Sequence, residues 1–249
     1  MSTSAVRSSA GALDVPVVIL AGGKGRRLKP YSNVFPKPLM PVGERPILEI
    51  LIRQLARCGL RRIYIAVGHL SHLLINFFGD GSELGVHIEY VREAQPLGTA
   101  GALSLLRDRL DSTFLLMNGD LLTDLDYGRL LDDHAQHRSC ATIALAERTV
   151  DIDYGVIRVD DEKRLVGYDE KPQIKYLVSM GIYALEPRVL REIAPDTHHD
   201  FPSLVLRLLA EHETVRGFMH TGYWLDIGRP SDYELANEWM QEQPERFDP

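Results

Sequence analysis

Three things are scarce in this sequence, and each scarcity removes a class of protein. It holds 2 cysteines in 249 residues, Cys58 and Cys140. Two isolated thiols form neither a disulfide framework nor a metal-ligand spacing, so a reduced, cytoplasmic chain is expected. No apolar run approaches the ~18 residues that cross a bilayer, so no membrane partner is expected. Positive charge is not in excess: the net charge of -7 argues against a nucleic-acid partner, which favours a basic face. The opening Met1–Leu13 is rich in Ser and Ala and lacks the apolar segment of a secretory signal. Residues 1–13 are expected to be a disordered leader and residues 14–249 one domain. No internal repeat, low-complexity tract or linker interrupts the latter.

What is present is an ordinary globular composition, 45% apolar and 25% charged, with one unusual stretch near the start. The run Val15-Pro16-Val17-Val18-Ile19-Leu20-Ala21 empties into Gly22-Gly23-Lys24-Gly25-Arg26-Arg27-Leu28-Lys29-Pro30. An apolar, β-branched run ending in glycines reads as a buried first strand that delivers bare backbone to a ligand. Without Cβ atoms, Gly22, Gly23 and Gly25 leave their N–H groups free to face an anion. Lys24, Arg26, Arg27, Lys29 and Lys37 place 5 cations in positions 24–37. Backbone donors beside a cation cluster point to a polyphosphate. The same stretch would also serve as a surface turn with solvated charges. It is not a Walker loop, which needs Gly-Lys-Ser/Thr, and not a dinucleotide loop, because Leu28 stands where the third glycine belongs.

Strand and helix patterns alternate down the first half. Helices are expected over Pro46–Cys58, Leu70–Phe78 and Thr99–Leu110, and strands over Ile63–Val67, Val86–Val91 and Thr113–Met117. After Asp120 the pattern becomes mixed. A helix near Tyr127–His137 precedes strand-like runs at Ala141–Ala146, Gly155–Val159, Arg164–Asp169 and Leu177–Leu185. Helices near Pro187–Ile193 and Phe201–Glu211, a strand near Val215–Met219 and a helix near Ser231–Gln241 follow. The fold class is α/β: a doubly wound, mostly parallel, Rossmann-like mixed sheet flanked by helices. In such a sheet, ligands bind outside the carboxyl ends of the strands. Gln95-Pro96-Leu97-Gly98-Thr99-Ala100-Gly101 and Asn118-Gly119-Asp120 both fall there. Thr99 there also suits a helix cap. Asp120 there would face the ligand crevice, and it suits a plain turn as well.

Gly22-Gly23-Lys24-Gly25-Arg26-Arg27-Leu28, followed by Pro36-Lys37-Pro38-Leu39-Met40-Pro41-Val42, resembles the two-part signature of the sugar-phosphate nucleotidyltransferases (NDP-sugar pyrophosphorylases). Arg26 departs from the Thr usual in that family. Further motifs fall in the family's order: Leu97-Gly98-Thr99-Ala100, Asn118-Gly119-Asp120, Tyr154-Gly155-Val156, Asp169-Glu170-Lys171-Pro172, and Gly222-Tyr223-Trp224-Leu225-Asp226-Ile227-Gly228. The resemblance spans about Val15 to Trp239. It implies transfer of a nucleotide from an NTP to a sugar 1-phosphate. Arg27, Lys37, Asp120 and Asp226 would be catalytic, the two aspartates holding Mg2+. Leu20, Ala21, Gly22, Gly23, Lys24, Gly25, Arg26, Gln95, Gly98, Thr99, Asn118 and Gly119 would bind the nucleotide. Gly155, Glu170, Lys171, Ser179 and Gly181 would bind the sugar phosphate, Ser179 departing from the family's Asn. The motifs are most similar to the mannose- or heptose-1-phosphate guanylyltransferase branch, with GTP as donor; a uridylyl- or thymidylyltransferase is the alternative. A homo-oligomer is compatible with either.

Several residues also have plain structural readings. Glu170 and Lys171 suit an exposed strand-end ion pair, which contributes ~0–1 kcal/mol. Asp124-Leu125-Asp126 matches the Asp-x-Asp metal motif of glycosyltransferases that consume nucleotide sugars, but it reads better as the start of the following helix, where acids are favoured. His198-His199-Asp200 lacks the ligand spacing of a metal site. A non-catalytic protein that binds nucleotide sugars is a further rival, disfavoured because Arg27, Lys37, Asp120 and Asp226 are all retained.

Overall fold

The computed structural model describes residues 14–23, 25 and 35–247. The first strand, β1 (Val17–Ala21), is buried along nearly its whole length, as its apolar sequence demands. After a 3₁₀ turn at Lys37–Leu39, two short strands, β2 (Pro41–Val42) and β3 (Arg45–Pro46), pair antiparallel. The chain then alternates: α1 (Ile47–Arg57), β4 (Arg62–Val67), α2 (Ser71–Phe78), β5 (His87–Arg92), α3 (Gly98–Gly101) and β6 (Phe114–Asn118). A short β7 (Leu121–Thr123) leads to α4 (Tyr127–Gln136), where the Asp126 carboxylate accepts from Arg129 N–H and caps the helix. There follow β8 (Ala141–Asp151), β9 (Val156–Val159), β10 (Leu165–Asp169) and β11 (Gln173–Leu185). The last elements are α5 (Phe201–Ala210), β12 (Val215–His220), β13 (Trp224–Asp226), α6 (Pro230–Glu242) and α7 (Pro244–Phe247).

A 7-stranded sheet in the order β12-β8-β11-β6-β1-β4-β5 organises these elements. Strands β6, β1, β4 and β5 run parallel, and β12 runs parallel to β8. Only β11 opposes its neighbours in the sheet. The expected mostly parallel α/β sheet is therefore found, with the reversal placed between its two halves. Alternation along β1 divides the core: Val17 and Ile19 pack with Leu48, Leu51 and Ile65 on one face. Val18 packs with Leu103, Phe114 and Leu116 on the other. Cover on both faces is why β1 reads as a continuous apolar run. A third cluster, including Val42, Ile47, Leu122, Leu225, Met240 and Phe247, lies under the β7–β13 ribbon.

Three expectations are corrected. The helix expected over Thr99–Leu110 is a single turn, α3, continued as 3₁₀ helix over Ala102–Leu106. Its first turn is held from outside, Ala100 N–H and Gly101 N–H both donating to the His199 carbonyl. The Pro187–Ile193 segment is likewise 3₁₀, over Pro187–Glu192. Strands β8 and β11 outrun the expected ranges because their ladder extends as far as the Gln173–Asp151 pair. Beyond it, β9 and β10 form a separate 2-stranded ribbon.

Candidate functional site

A cleft of about 420 Å³ opens at the carboxyl ends of β1 and β6. Leu20, Ala21, Gly22, Gly23 and Gly25 form one wall, Pro96, Gly98 and Thr99 a second, and Lys37, Asn118, Asp120 and Asp226 converge beside them. Residues far apart in the chain thus meet where a doubly wound sheet binds its ligands. Lys24, Arg26 and Arg27 lie outside the described residues.

Asp120 follows β6, and Asp226 ends β13. The antiparallel pairing of β13 with β7 sets Asp226 against Leu121, and Ile227 N–H donates to the Asp120 carbonyl at 3.1 Å. Between the two carboxylates stands the Lys37 ammonium, which donates to Asp120 Oδ2 and to Asp226 Oδ1, the latter at 3.4 Å. Burial pushes the Asp120 carboxyl above its ordinary range; Lys37 opposes this shift, and Asp226 adds to it. Asp120 Oδ1 is buried without a hydrogen-bond partner among the described residues. Two hard oxygen donors facing one cation, with a further oxygen unpartnered, fit a divalent ion. No group of three or more His, Cys, Asp or Glu suited to a metal occurs among the described residues. Phosphate oxygens and water would have to complete the coordination, as is usual for Mg2+.

The second wall differs from the sequence reading. Gln95 is exposed, and its amide donates to the Asp196 carbonyl. Glu93, which the motif reading passes over, lines the cleft and the adjoining hollow formed by Gly68, His69 and Gln95. Its Oε2 accepts from Leu97 N–H at 3.1 Å. Its Oε1 lies against Gly22, where an added Cβ would come within 3.2 Å of it. Burial raises the Glu93 carboxyl above its ordinary range, and the Leu97 N–H offsets part of that shift. The signal for Glu93 was the same as for Asp120: an acid directly beyond a parallel strand. Gly98 has φ +80°, and a Cβ there would press into the His199 carbonyl and the Asp200 carboxylate. Thr99 caps α5 rather than its own helix, its hydroxyl accepting from Phe201 N–H at 2.8 Å.

Among the residues expected to bind a sugar phosphate, Gly181 (φ +73°) packs against the Asn118 side chain, and its N–H donates to Ser179 Oγ at 3.2 Å. Gly119 N–H donates to the Leu20 carbonyl, tying the β6 turn to β1. Gly155, Glu170 and Lys171 sit in and around the β9–β10 ribbon and do not line the cleft. Glu170 accepts from the Tyr168 hydroxyl, and Lys171 has φ 46°. The Glu170–Lys171 ion pair, the alternative to a binding role, is not among the ion pairs of the described residues; Arg158 and Asp169 form one instead. Asp124 and Asp126 do not form a shared acidic site. Asp126 caps α4, and Asp124 accepts from His220, Tyr223 N–H and Arg246. His199 contributes backbone hydrogen bonds to the Leu97–Gly101 turn. No helix among the described residues is long and apolar enough to cross a membrane.

The chain is similar to known proteins along most of its length. The family described as Nucleotidyl transferase matches residues 16–243. The chain is 33% identical over 229 residues to a mannose-1-phosphate guanylyltransferase of Mycobacterium tuberculosis, covering 88% of this chain and 62% of that one. It is 32% identical over 242 residues to a UTP–glucose-1-phosphate uridylyltransferase of Synechocystis, covering 88% and 61%. The chain therefore spans less than two thirds of the length of these curated relatives. Among solved structures it is similar to HddC from Yersinia pseudotuberculosis, with a TM-score of 0.71 and 28% identity over 90% of this chain and 98% of that one. The complex of HddC with GMP-PN gives a TM-score of 0.70, with the same identity and coverage.

Proposed function

Because the chain belongs to the nucleotidyl transferase family, we propose that it transfers a nucleotide from GTP to a sugar 1-phosphate of the mannose or heptose type, releasing pyrophosphate. The observation that carries this reading is the convergence of Asp120, Asp226 and Lys37 beside a glycine-lined cleft. An oxygen of the sugar phosphate attacks the α-phosphorus in line, a new P–O bond forms, and the bond to the β-phosphate breaks. No covalent enzyme intermediate is needed. The protein's task is positioning and charge stabilisation.

In this reading the backbone of Gly22, Gly23 and Gly25 holds the triphosphate, and Arg27 neutralises the departing pyrophosphate. Lys37 reaches phosphate from its place between the carboxylates. Asp120 and Asp226 hold Mg2+, which supplies charge neutralisation to two phosphate-bearing substrates that otherwise repel each other. Ser179 and Gly181, next to the cleft residue Asn118, receive the sugar phosphate, and Gly155, Glu170 and Lys171, which lie off the cleft wall, would have to approach it from the β9–β10 ribbon. Residues 14–249 act as one domain, supported by the sheet that runs unbroken from β12 to β5. The free Cys58 and Cys140 suit a reducing cytoplasm.

Glu93 supports guanine over uracil or thymine. A carboxylate only accepts hydrogen bonds. Guanine offers two adjacent donors, N1–H and the 2-amino group. Uracil and thymine offer one N–H flanked by two carbonyls, which a carboxylate would repel. The test is pyrophosphate release with Mg2+, each of four NTPs and a panel of hexose and heptose 1-phosphates. Release is expected with GTP and only when a sugar phosphate is present. Release with UTP or dTTP instead would overturn the base assignment. No release from any combination would overturn the transferase reading, and release of free nucleoside diphosphate from a nucleotide sugar would favour a glycosyltransferase.

A further inference from the structure

Asp124 belongs to no part of the reaction just described, yet it is among the most heavily engaged carboxylates in the molecule. Its Oδ1 accepts from Tyr223 N–H at 2.7 Å and from His220 Nε2 at 3.0 Å. Its Oδ2 accepts from Arg246 Nη1 at 2.8 Å. Its own N–H donates to the Tyr223 carbonyl at 3.2 Å, which also accepts from the Thr123 hydroxyl at 2.8 Å. The donors come from three places: the end of β12, the turn before β13, and α7. Arg246 lies over the Tyr223 ring, 4.9 Å from its centroid, so the pair also braces that turn. Gly222 completes the contact. A Cβ there would overlap Asp124 Oδ1, so only glycine lets the turn close over the carboxylate.

The position of this cluster gives it a consequence. The β7–β13 ribbon has 3 residue pairs, from Trp224–Thr123 to Asp226–Leu121. Two strands of that length are not stable alone, and a slip of one residue would turn Asp226 to the opposite face. Asp124 grips Tyr223 at one end of the ribbon; Asp120 and Asp226 stand at the other. The Trp224 indole N–H, donating to the Met180 carbonyl at 2.9 Å, anchors the same strand to β11.

We propose that Asp124 is a positioning residue: it pins the register of the β7–β13 ribbon and thereby holds Asp226 opposite Asp120 for a shared divalent ion. This rests on the metal role given to the two aspartates in the proposed function. Residues that orient metal ligands typically change metal affinity about 10- to 100-fold when removed.

The test is Mn2+ binding to the purified full chain, read from the EPR signal of the free ion. Asp124→Ala is expected to weaken Mn2+ binding about 10-fold or more. Gly222→Ala, which forces the same contact apart from the other side, is expected to do likewise. In the Asp124→Ala background Gly222→Ala should add less than it does alone, because the carboxylate is gone and only the His220 ring, with Cε1 at 2.8 Å from an added Cβ, is left to give way. Asp124→Asn, which keeps an acceptor for Tyr223 N–H, should recover part of the loss. Wild-type Mn2+ affinity in folded Asp124→Ala or in Gly222→Ala, or independent losses that multiply in the double variant, would overturn the proposal. Should Asp124→Ala fail to fold, Gly222→Ala and Asp124→Asn decide it alone. Mn2+ binding requires no turnover, so a chain that binds the ion but releases no pyrophosphate overturns the transferase reading while the affinities still decide the role of Asp124.

Discussion

Strands β1 and β9 sit at opposite extremes of burial. In β1, four of 5 residues are buried and the other partly so. In β9, none of the 4 is buried, and the paired β10 exposes Leu165, Val166 and Tyr168. Packing on both faces fixes the backbone at the end of β1, so the groups around the cleft hold their geometry without a ligand. The β9–β10 ribbon has no such support, and a 2-stranded ribbon is at best marginally stable in water. The described part of the proposed nucleotide side is therefore preorganised. Gly155, Glu170 and Lys171, proposed for the sugar phosphate, lie off the cleft wall, and Glu170 is held by the Tyr168 hydroxyl.

The largest expected effect lies on the preorganised side. Asp226→Ala and Asp120→Ala should each lower turnover at least ~10²-fold, the scale of losing one preset electrostatic stabiliser. Steady-state rates of the folded variants would show it, and wild-type rates would break the comparison at its stronger end. Next, Glu93→Gln should shift the ratio of kcat/KM for GTP over UTP by about tenfold toward UTP, the cost of one charge-assisted hydrogen bond. The pH profile sharpens this further. The ionised Glu93 is the competent form and its carboxyl titrates above the ordinary glutamate range. GTP use should therefore fall as pH drops through that raised range, and the Gln variant should lose that dependence.

On the exposed ribbon, Glu170→Ala and Lys171→Ala should raise KM for the sugar phosphate about 5- to 10-fold while leaving the KM for nucleotide near wild type. Equal effects on both substrates would erase the distinction between the two sides. The smallest effect is expected at Arg158, whose pair with Asp169 spans 3.1 Å with both side chains exposed. Arg158→Ala should change stability by no more than about 0.5 kcal/mol in denaturant titration.

Much of this arrangement is legible in the chain itself, and the illegible parts share a cause. The run Val17–Ala21 and the glycines after it announce strand and turn by local pattern alone, whereas Asp120 beyond Phe114–Asn118 reads locally as a plain turn as well, and only the family resemblance singles it out. Asp126 as the cap of Tyr127–Gln136 is equally local. Glu93 carries the same strand-end signal as Asp120, but no local pattern says whether Glu93 or Gln95 turns inward. That depends on the Leu97 N–H and on Gly22 across the cleft. Thr99 looks like a cap for its own helix and instead caps α5, a contact across 102 positions. Lys37 reads as a phosphate ligand because its partners lie 83 and 189 positions away. Strands of 3 residues such as β7 and β13 are too short to show a period. The outer ends of β8 and β11 show no clean alternation because neither face is buried there.

The β7–β13 ribbon also dates the site within the life of the chain. Its two strands are separated by most of the second half of the sequence, and contacts so remote form late, after the local βα units have closed. During synthesis, from the amino end onward, the glycine turn and Asp120 emerge well before their second carboxylate. A nascent chain thus has the cleft beside β1 and β6 in outline before Asp226 can face Asp120, and the two carboxylates meet only when its last quarter folds back onto its middle.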